Sequence, residues 1–196
     1  MPTTTFKNLS EDKKKRIFNA AVGEFSNKRF NDASINQIIK RAEIPKGSFY
    51  QYFEGKEDLY MYMMGKIEEE KRQITHSISL DQDADVFEIG MQKMKAAYEW
   101  GKLKPDYGRI GVLMWRDNSE FVAKFRTTTI DWTKKYIERD KERGLIKPEA
   151  NSNLVADMLI TLLLNEGFFA GLNDKEYFEK LDGVMKILKK GVSLTK

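Results

Sequence analysis

The stretch Lys46-Gly47-Ser48-Phe49-Tyr50-Gln51-Tyr52-Phe53-Glu54-Gly55-Lys56 decides how the chain is read. Wound as a helix, it sets Phe49 and Phe53 four residues apart on one face, while Ser48, Tyr50, Gln51 and Tyr52 spread over the others. Two aromatics thus point to a core and a set of hydrogen-bond donors points out. Pro45 precedes it with a φ suited to the first turn of a helix, so residues 46–53 form a short helix that Gly55 separates from the next.

Working upstream, Ser34 can cap a helix of about two turns whose apolar face is Ile35, Ile38, Ile39 and Ala42. It ends at a tight turn through Glu43 and Ile44. Further back, Ser10 is a good N-cap, Glu11 and Asp12 place negative charge in a first turn, and Ile17, Ala21 and Phe25 form an i, i+4, i+8 stripe. Three short helices, the last two joined by a tight turn, make a helix-turn-helix pattern. The outward donors suit a duplex: Gln51 can pair bidentately with adenine, and Tyr50 can reach a phosphate or a thymine methyl. Lys46 and Lys56 can bracket the phosphates, and Lys56 also opens a helix whose N-terminus favours anions.

Charge agrees with that partner. The 196 residues carry 34 Lys and Arg against 30 Asp and Glu, a net charge of only +4. Residues 13–56 hold ten of the basic residues and four of the acidic ones, so this segment is strongly basic and the remainder close to neutral. A basic end on a near-neutral body is the asymmetry expected of a chain that meets phosphates, although a solvated lysine surface gives the same count.

The string Ile35 to Tyr60, INQIIKRAEIPKGSFYQYFEGKEDLY, resembles the signature of the TetR/AcrR family of repressors. The resemblance implies a three-helix DNA-binding domain over residues 1–55 and a helical ligand-binding and dimerisation domain over residues 56–196. It implies a homodimer formed mainly by the last two long helices and a palindromic double-stranded operator. It further implies release by a small, largely apolar effector; no cofactor is expected, and the lack of cysteine makes the reducing cytoplasm the default compartment. Carried over residue by residue, it places DNA contacts at Ser34, Lys46, Gly47, Ser48, Tyr50, Gln51, Tyr52 and Lys56. The chain departs from the family at Glu43, where glycine is common in the turn; a residue with a Cβ still reaches most turn conformations. Tyr52 stands where the family often has histidine and keeps a donor.

Beyond residue 56 the apolar periodicity stays helical and no alternating strand pattern of useful length occurs, so the expected fold is all-α. Leu59, Met63, Ile67 and Ile74 face inward on a long helix. Residues 80–85 form a loop, and Phe87, Met91, Met94 and Tyr98 line the next helix. Pro105, Asp106 and Gly108 punctuate before a short segment at residues 112–115. Asp117 or Asn118 caps a long helix bearing Phe121, Phe125, Trp132 and Tyr136, which stops at Gly144 and Pro148. Two helices follow, over residues 153–172 and 175–190.

Candidates for the effector pocket are Met63, Met91, Met94, Tyr98, Trp115, Phe121, Phe125 and Phe168, with plain core packing as the alternative. Asp157, Thr161 and Asn165 form a polar stripe in an apolar helix and could orient a ligand, bond across a dimer, or touch water. Candidates for the dimer contact are Leu154, Met158, Leu162, Phe169, Val184, Ile187 and Leu188, with packing inside the domain as the alternative. His76, the one histidine, reads as a solvated residue near a helix end.

Other classes fit poorly. The chain has no cysteine, hence no disulfide and no thiolate metal site. It lacks a GxxxxGK loop and an HExxH pair, so catalysis is not expected. The first residues have no apolar signal core, and no apolar run is long enough to span a bilayer. A non-specific architectural DNA binder would leave the helices beyond residue 56 without a task.

Overall fold

The computed structural model describes residues 2–75, 83–163 and 171–194. Over these residues the protein is all-α, with ten helices. They are α1 (Thr4–Lys7), α2 (Glu11–Phe25), α3 (Ile35–Ala42), α4 (Lys46–Tyr52), α5 (Lys56–Thr75), α6 (Val86–Leu103), α7 (Pro105–Arg116), α8 (Glu120–Glu142), α9 (Ser152–Leu163) and α10 (Asp174–Val192). The chain divides into two compact units. One comprises residues 1–76 and 100–123, the other residues 77–99 and 124–196.

The first unit is cored by rings. Phe25, Phe30, Phe49, Phe53 and Tyr60 are buried together with Ile17, Ile38, Leu59 and Met63. Phe30 stacks parallel to Phe25 at 6.2 Å and meets Tyr60 edge-on at 5.3 Å, while Phe53 lies 5.7 Å from Phe49. Helix α2 forms because its stripe Ile17, Ala21 and Phe25 buries completely, with Glu11 and Asp12 complementing the positive helix end.

In the second unit Val86, Phe87, Ile137, Ile146, Val155, Ala156, Leu159 and Met185 make one cluster. Its organising charge is Asp140, fully buried in α8. One carboxylate oxygen accepts the Val86 N–H at 2.6 Å, and the other accepts from Arg139 at 2.7 Å and Arg143 at 3.2 Å. Asp85 then caps the N–H groups of Phe87 and Glu88, each at 2.9 Å, so a loop that begins polar ends in a firmly pinned helix start. An isolated antiparallel bridge between Ile146 and Ser193 ties the chain end to the α8–α9 turn.

Three elements differ from the sequence expectation. Helix α1 has no counterpart there; four residues are too short to show a period. Helix α7 runs over twelve residues rather than a short segment, because Pro105 sits at its first turn and starts the helix instead of interrupting it. The α8 cap falls on Ser119, whose carbonyl accepts the Ala123 N–H, with Asp117 preceding it rather than serving as the cap itself. Helix α9 was expected to continue to residue 172, and residues 164–170 lie outside the described ones, as does His76.

Candidate nucleic-acid interface

Ser34 opens the site. Its hydroxyl accepts the Gln37 N–H at 3.4 Å, and its own N–H donates to Glu24 at 3.0 Å. Helix α3 buries Ile38, Ile39 and Ala42 and stops at Glu43, whose φ of 54° and ψ of 47° place it in the left-handed region. That conformation is what a glycine would adopt freely and what a Cβ resists. Ile44 is buried, and the Pro45 carbonyl receives the N–H groups of Ser48 and Phe49 at 3.0 and 3.3 Å, starting α4.

On α4, Phe49 is fully buried and Phe53, its C-cap residue, equally so. On the outward face Tyr50 is 53% exposed, and Lys46, Gly47 and Gln51 are exposed as well. Ser48 is half-buried. A Cβ added at Gly47 would meet nothing within 4 Å, so the fold does not require glycine there.

Tyr52 departs from the outward placement expected of it. It is 4% exposed, with Phe6 of α1 at 6.1 Å and the Lys13 ammonium 5.4 Å above its ring. The cause is α1, which covers a face that the three-helix reading left open.

Lys56 is committed to the turn before α3. Its ammonium donates to the carbonyls of Asn31 at 3.2 Å and Ala33 at 3.0 Å and lies 4.8 Å over the Phe30 ring. The same turn is held by Asp117, whose Oδ2 accepts the Phe30 N–H at 2.6 Å while Oδ1 accepts the Ser119 N–H at 2.8 Å. Burial works to raise the Asp117 pKa. The Ser119 hydroxyl and N–H, the Phe30 N–H and the charge of Arg29 outweigh it and hold the carboxyl below its ordinary 3.8. Glu24 behaves alike: burial is outweighed by Lys28 at 2.9 Å, the Ser34 N–H and Arg41, so its pKa is also lowered. Sequence reasoning missed Glu24 and Asp117 as pins; both looked like ordinary helix and cap charges.

The effector candidates fall in both units. Met63 is fully buried, and Phe121 packs 4.8 Å from Phe30 and 5.9 Å from Tyr60. Trp115 is half-buried in the same unit. In the second unit Met91 packs on the core, Met94 and Phe125 are half-buried, and the Tyr98 hydroxyl donates to Asp174 at 2.7 Å. Asp157 and Thr161 are exposed on the single chain, because α9 buries Val155, Ala156, Leu159 and Ile160 instead. Asn165, Phe168 and Phe169 lie outside the described residues.

A surface groove of about 430 Å³ lies between α2 and α5. Lys14, Lys15, Phe18, Tyr62 and Lys66 line it together with Glu11 and Glu69, and none of the effector candidates does. Close by, burial and Glu70 push the Tyr107 hydroxyl up to about 12.

Of the dimer candidates, Leu154, Met158 and Ile187 are 56%, 41% and 73% exposed, an unusual state for large apolar side chains on two neighbouring helices. Leu162 and Val184 are half-buried, and Leu188 packs on the core.

This geometry defines a helix-turn-helix protein: a short capped helix, a left-handed turn residue, and a second helix with a buried ring face and an exposed polar one. Residues 17–63 match the family model described as bacterial regulatory proteins, tetR family. The HTH-type transcriptional regulator YdgC of Bacillus subtilis is 25% identical over 174 residues, 86% of this chain and 87% of that one. A TetR family transcriptional regulator from Chloroflexus aurantiacus superposes with a TM-score of 0.72 at 24% identity, over 100% of both chains. FadR from Bacillus subtilis, solved in complex with stearoyl-CoA, superposes at 0.68 with 16% identity, over 91% of this chain and 98% of its own. Residues 17–63 thus carry a TetR-type helix-turn-helix, and the chain is similar over most of its length to an HTH-type regulator in sequence and to TetR-family regulators in fold. No helix among the described residues is long and apolar enough to cross a membrane, and no group of His, Asp and Glu there could hold a metal ion.

Proposed function

We propose that the protein is a homodimeric, effector-responsive repressor that reads a near-palindromic operator in the cytoplasm by laying α4 in the major groove. The observation that carries this reading is the contrast on α4: Phe49 is fully buried while Tyr50 and Gln51 stand exposed beside Lys46. Gln51 and Tyr50 would read base edges, and Ser34, Lys46 and Ser48 would hold phosphates. Gly47 keeps the surface low where a sugar-phosphate backbone approaches, in keeping with the open space around it. Lys56 would act from behind, through the carbonyls it holds before Ser34, with Tyr52 supporting the helix.

The functional division remains at residues 1–55 for operator contact and 56–196 for effector binding and dimerisation. Exposed Leu154, Met158 and Ile187 would meet a second copy across α9 and α10. The stearoyl-CoA bound to the structurally similar FadR supports an effector with a large apolar part. Release then follows if the effector binds better to a conformation whose two α4 helices no longer match the half-sites.

Footprinting tests the reading: a protected near-palindrome is expected, and uniform protection of any duplex would overturn it. Gln51→Ala and Tyr50→Phe should weaken or relax site preference. Lys46→Ala should lower affinity across sequences and flatten the salt dependence by about one unit.

A further inference from the structure

Helix α4 has seven residues; the Phe49 carbonyl accepts the Phe53 N–H at 2.9 Å, and the carbonyls of Gln51 and Tyr52 lie beyond the reach of the helix's own N–H groups. Glu54, not glycine, follows C-cap Phe53, which is extended, with φ −137° and ψ 139°. The partner of those two carbonyls comes from the chain's beginning. The Thr3 N–H donates to the Tyr52 carbonyl at 3.1 Å, and the Thr3 hydroxyl donates to the Gln51 carbonyl at 2.6 Å. The same hydroxyl accepts the Phe6 N–H at 3.3 Å and so caps α1. Phe6, 2% exposed, then inserts among Phe53 at 4.8 Å, Tyr62 at 4.9 Å and Tyr52 at 6.1 Å. The matched family region begins at residue 17, well beyond these contacts.

We propose that residues 2–9 are a positioning arm for the recognition helix, in which Thr3 and Phe6 fix the peptide groups of Gln51 and Tyr52 and so aim the Gln51 side chain at its base. The proposal rests on the reading of α4 as the base-reading helix. Base readout depends on the direction of Gln51 to a fraction of a hydrogen-bond length, whereas phosphate contacts tolerate small rotations. Loss of the arm contacts therefore lowers specific affinity and leaves non-specific affinity and its salt dependence in place.

The test uses the full chain, the duplex it selects from a randomised pool, and a scrambled duplex of equal length. Thr3→Val, which keeps shape but removes the hydroxyl, should weaken selected-site binding about threefold, the worth of one exposed hydrogen bond. Thr3→Ser should restore it. Phe6→Ala should weaken it by about tenfold or more, with Phe6→Leu taking its place if the alanine variant gives no cooperative melt. Scrambled-duplex binding should stay unchanged throughout. Equal losses on both duplexes would overturn the proposal by showing general destabilisation. Full site preference in the arm variants beside a loss in Gln51→Ala would overturn it while leaving the reading of α4 intact. Full preference in Gln51→Ala as well would remove that reading, and the proposal with it.

Discussion

The two compact units bury their surfaces with different chemistry. The N-terminal one packs rings around Phe30, parallel to Phe25, edge-on to Tyr60 and tilted against Phe121, and the C-terminal one packs branched aliphatics around Ile137, Ile146 and Leu159. Each also hides a carboxylate, but the two are used differently. Asp140 faces two arginines and one N–H, so it is a charge neutralised by charge. Asp117 takes N–H groups from Phe30 and Ser119, and the charge of Arg29 contributes least among the groups that hold its carboxyl down. Asp140 thus fixes a helix start through an ion network, as Glu24 does at Ser34 with Lys28 and Arg41, while Asp117 fixes the Phe30 turn mainly with hydrogen bonds. The ring contacts are directional, which suits a surface that must present side chains accurately.

The sharpest way to break this contrast is Asp140→Ala. It leaves the Val86 N–H buried without a partner and two guanidinium groups uncompensated, and should cost about 3 kcal/mol in urea unfolding. An equal effect at Asp117 would erase the difference between the two carboxylates. Asp117→Asn keeps an oxygen for one of the two N–H donors and should cost about 1–2 kcal/mol at neutral pH.

That variant also carries a pH signature. The pKa values of Asp117 and Glu24 are lowered in the folded state, so their stabilisation is complete above the ordinary carboxylate range near 4 and is lost as pH falls through the folded values. The gap between the parent protein and Asp117→Asn should therefore narrow on acidification, as unfolding curves at successive pH values would show. A gap that widened would contradict the direction of the shift. The smallest expected effect is a gain. Glu43→Gly relieves a left-handed backbone at the loss of one exposed ion pair with Arg16 at 3.4 Å, and should stabilise by up to about 1 kcal/mol in the same assay.

Much of the N-terminal architecture was legible in the sequence because its signals are local. Pro45, Gly55 and the four-residue spacing of Phe49 and Phe53 fix α4 without reference to anything distant. What escaped was every contact that joins positions far apart in the chain. Tyr52 looked outward because its cover, Phe6, lies 46 residues earlier, and Lys56 looked free because the carbonyls it binds carry no side-chain signature. Asp117 could be read as a cap but not as a pin on Phe30, since nothing in a cap motif names a partner 87 residues away. In the C-terminal unit the obstacle was different. Apolar residues with helical period say that a face is buried without saying against what, so Leu188 and Ile187 could not be told apart, although one packs on the core and the other is exposed.

The division into units has a consequence for how the molecule comes apart. The boundaries after residues 99 and 123 fall inside α6 and α8, so each of these helices lends its two ends to different cores. Helical order propagates along a continuous backbone, and losing one end removes the nucleus that the other extends. Neither core can melt without fraying helices that the other needs. The unfolding transition is therefore expected to be shared, and heat, denaturant or protease should meet one cooperative molecule rather than a head and a body that let go in turn.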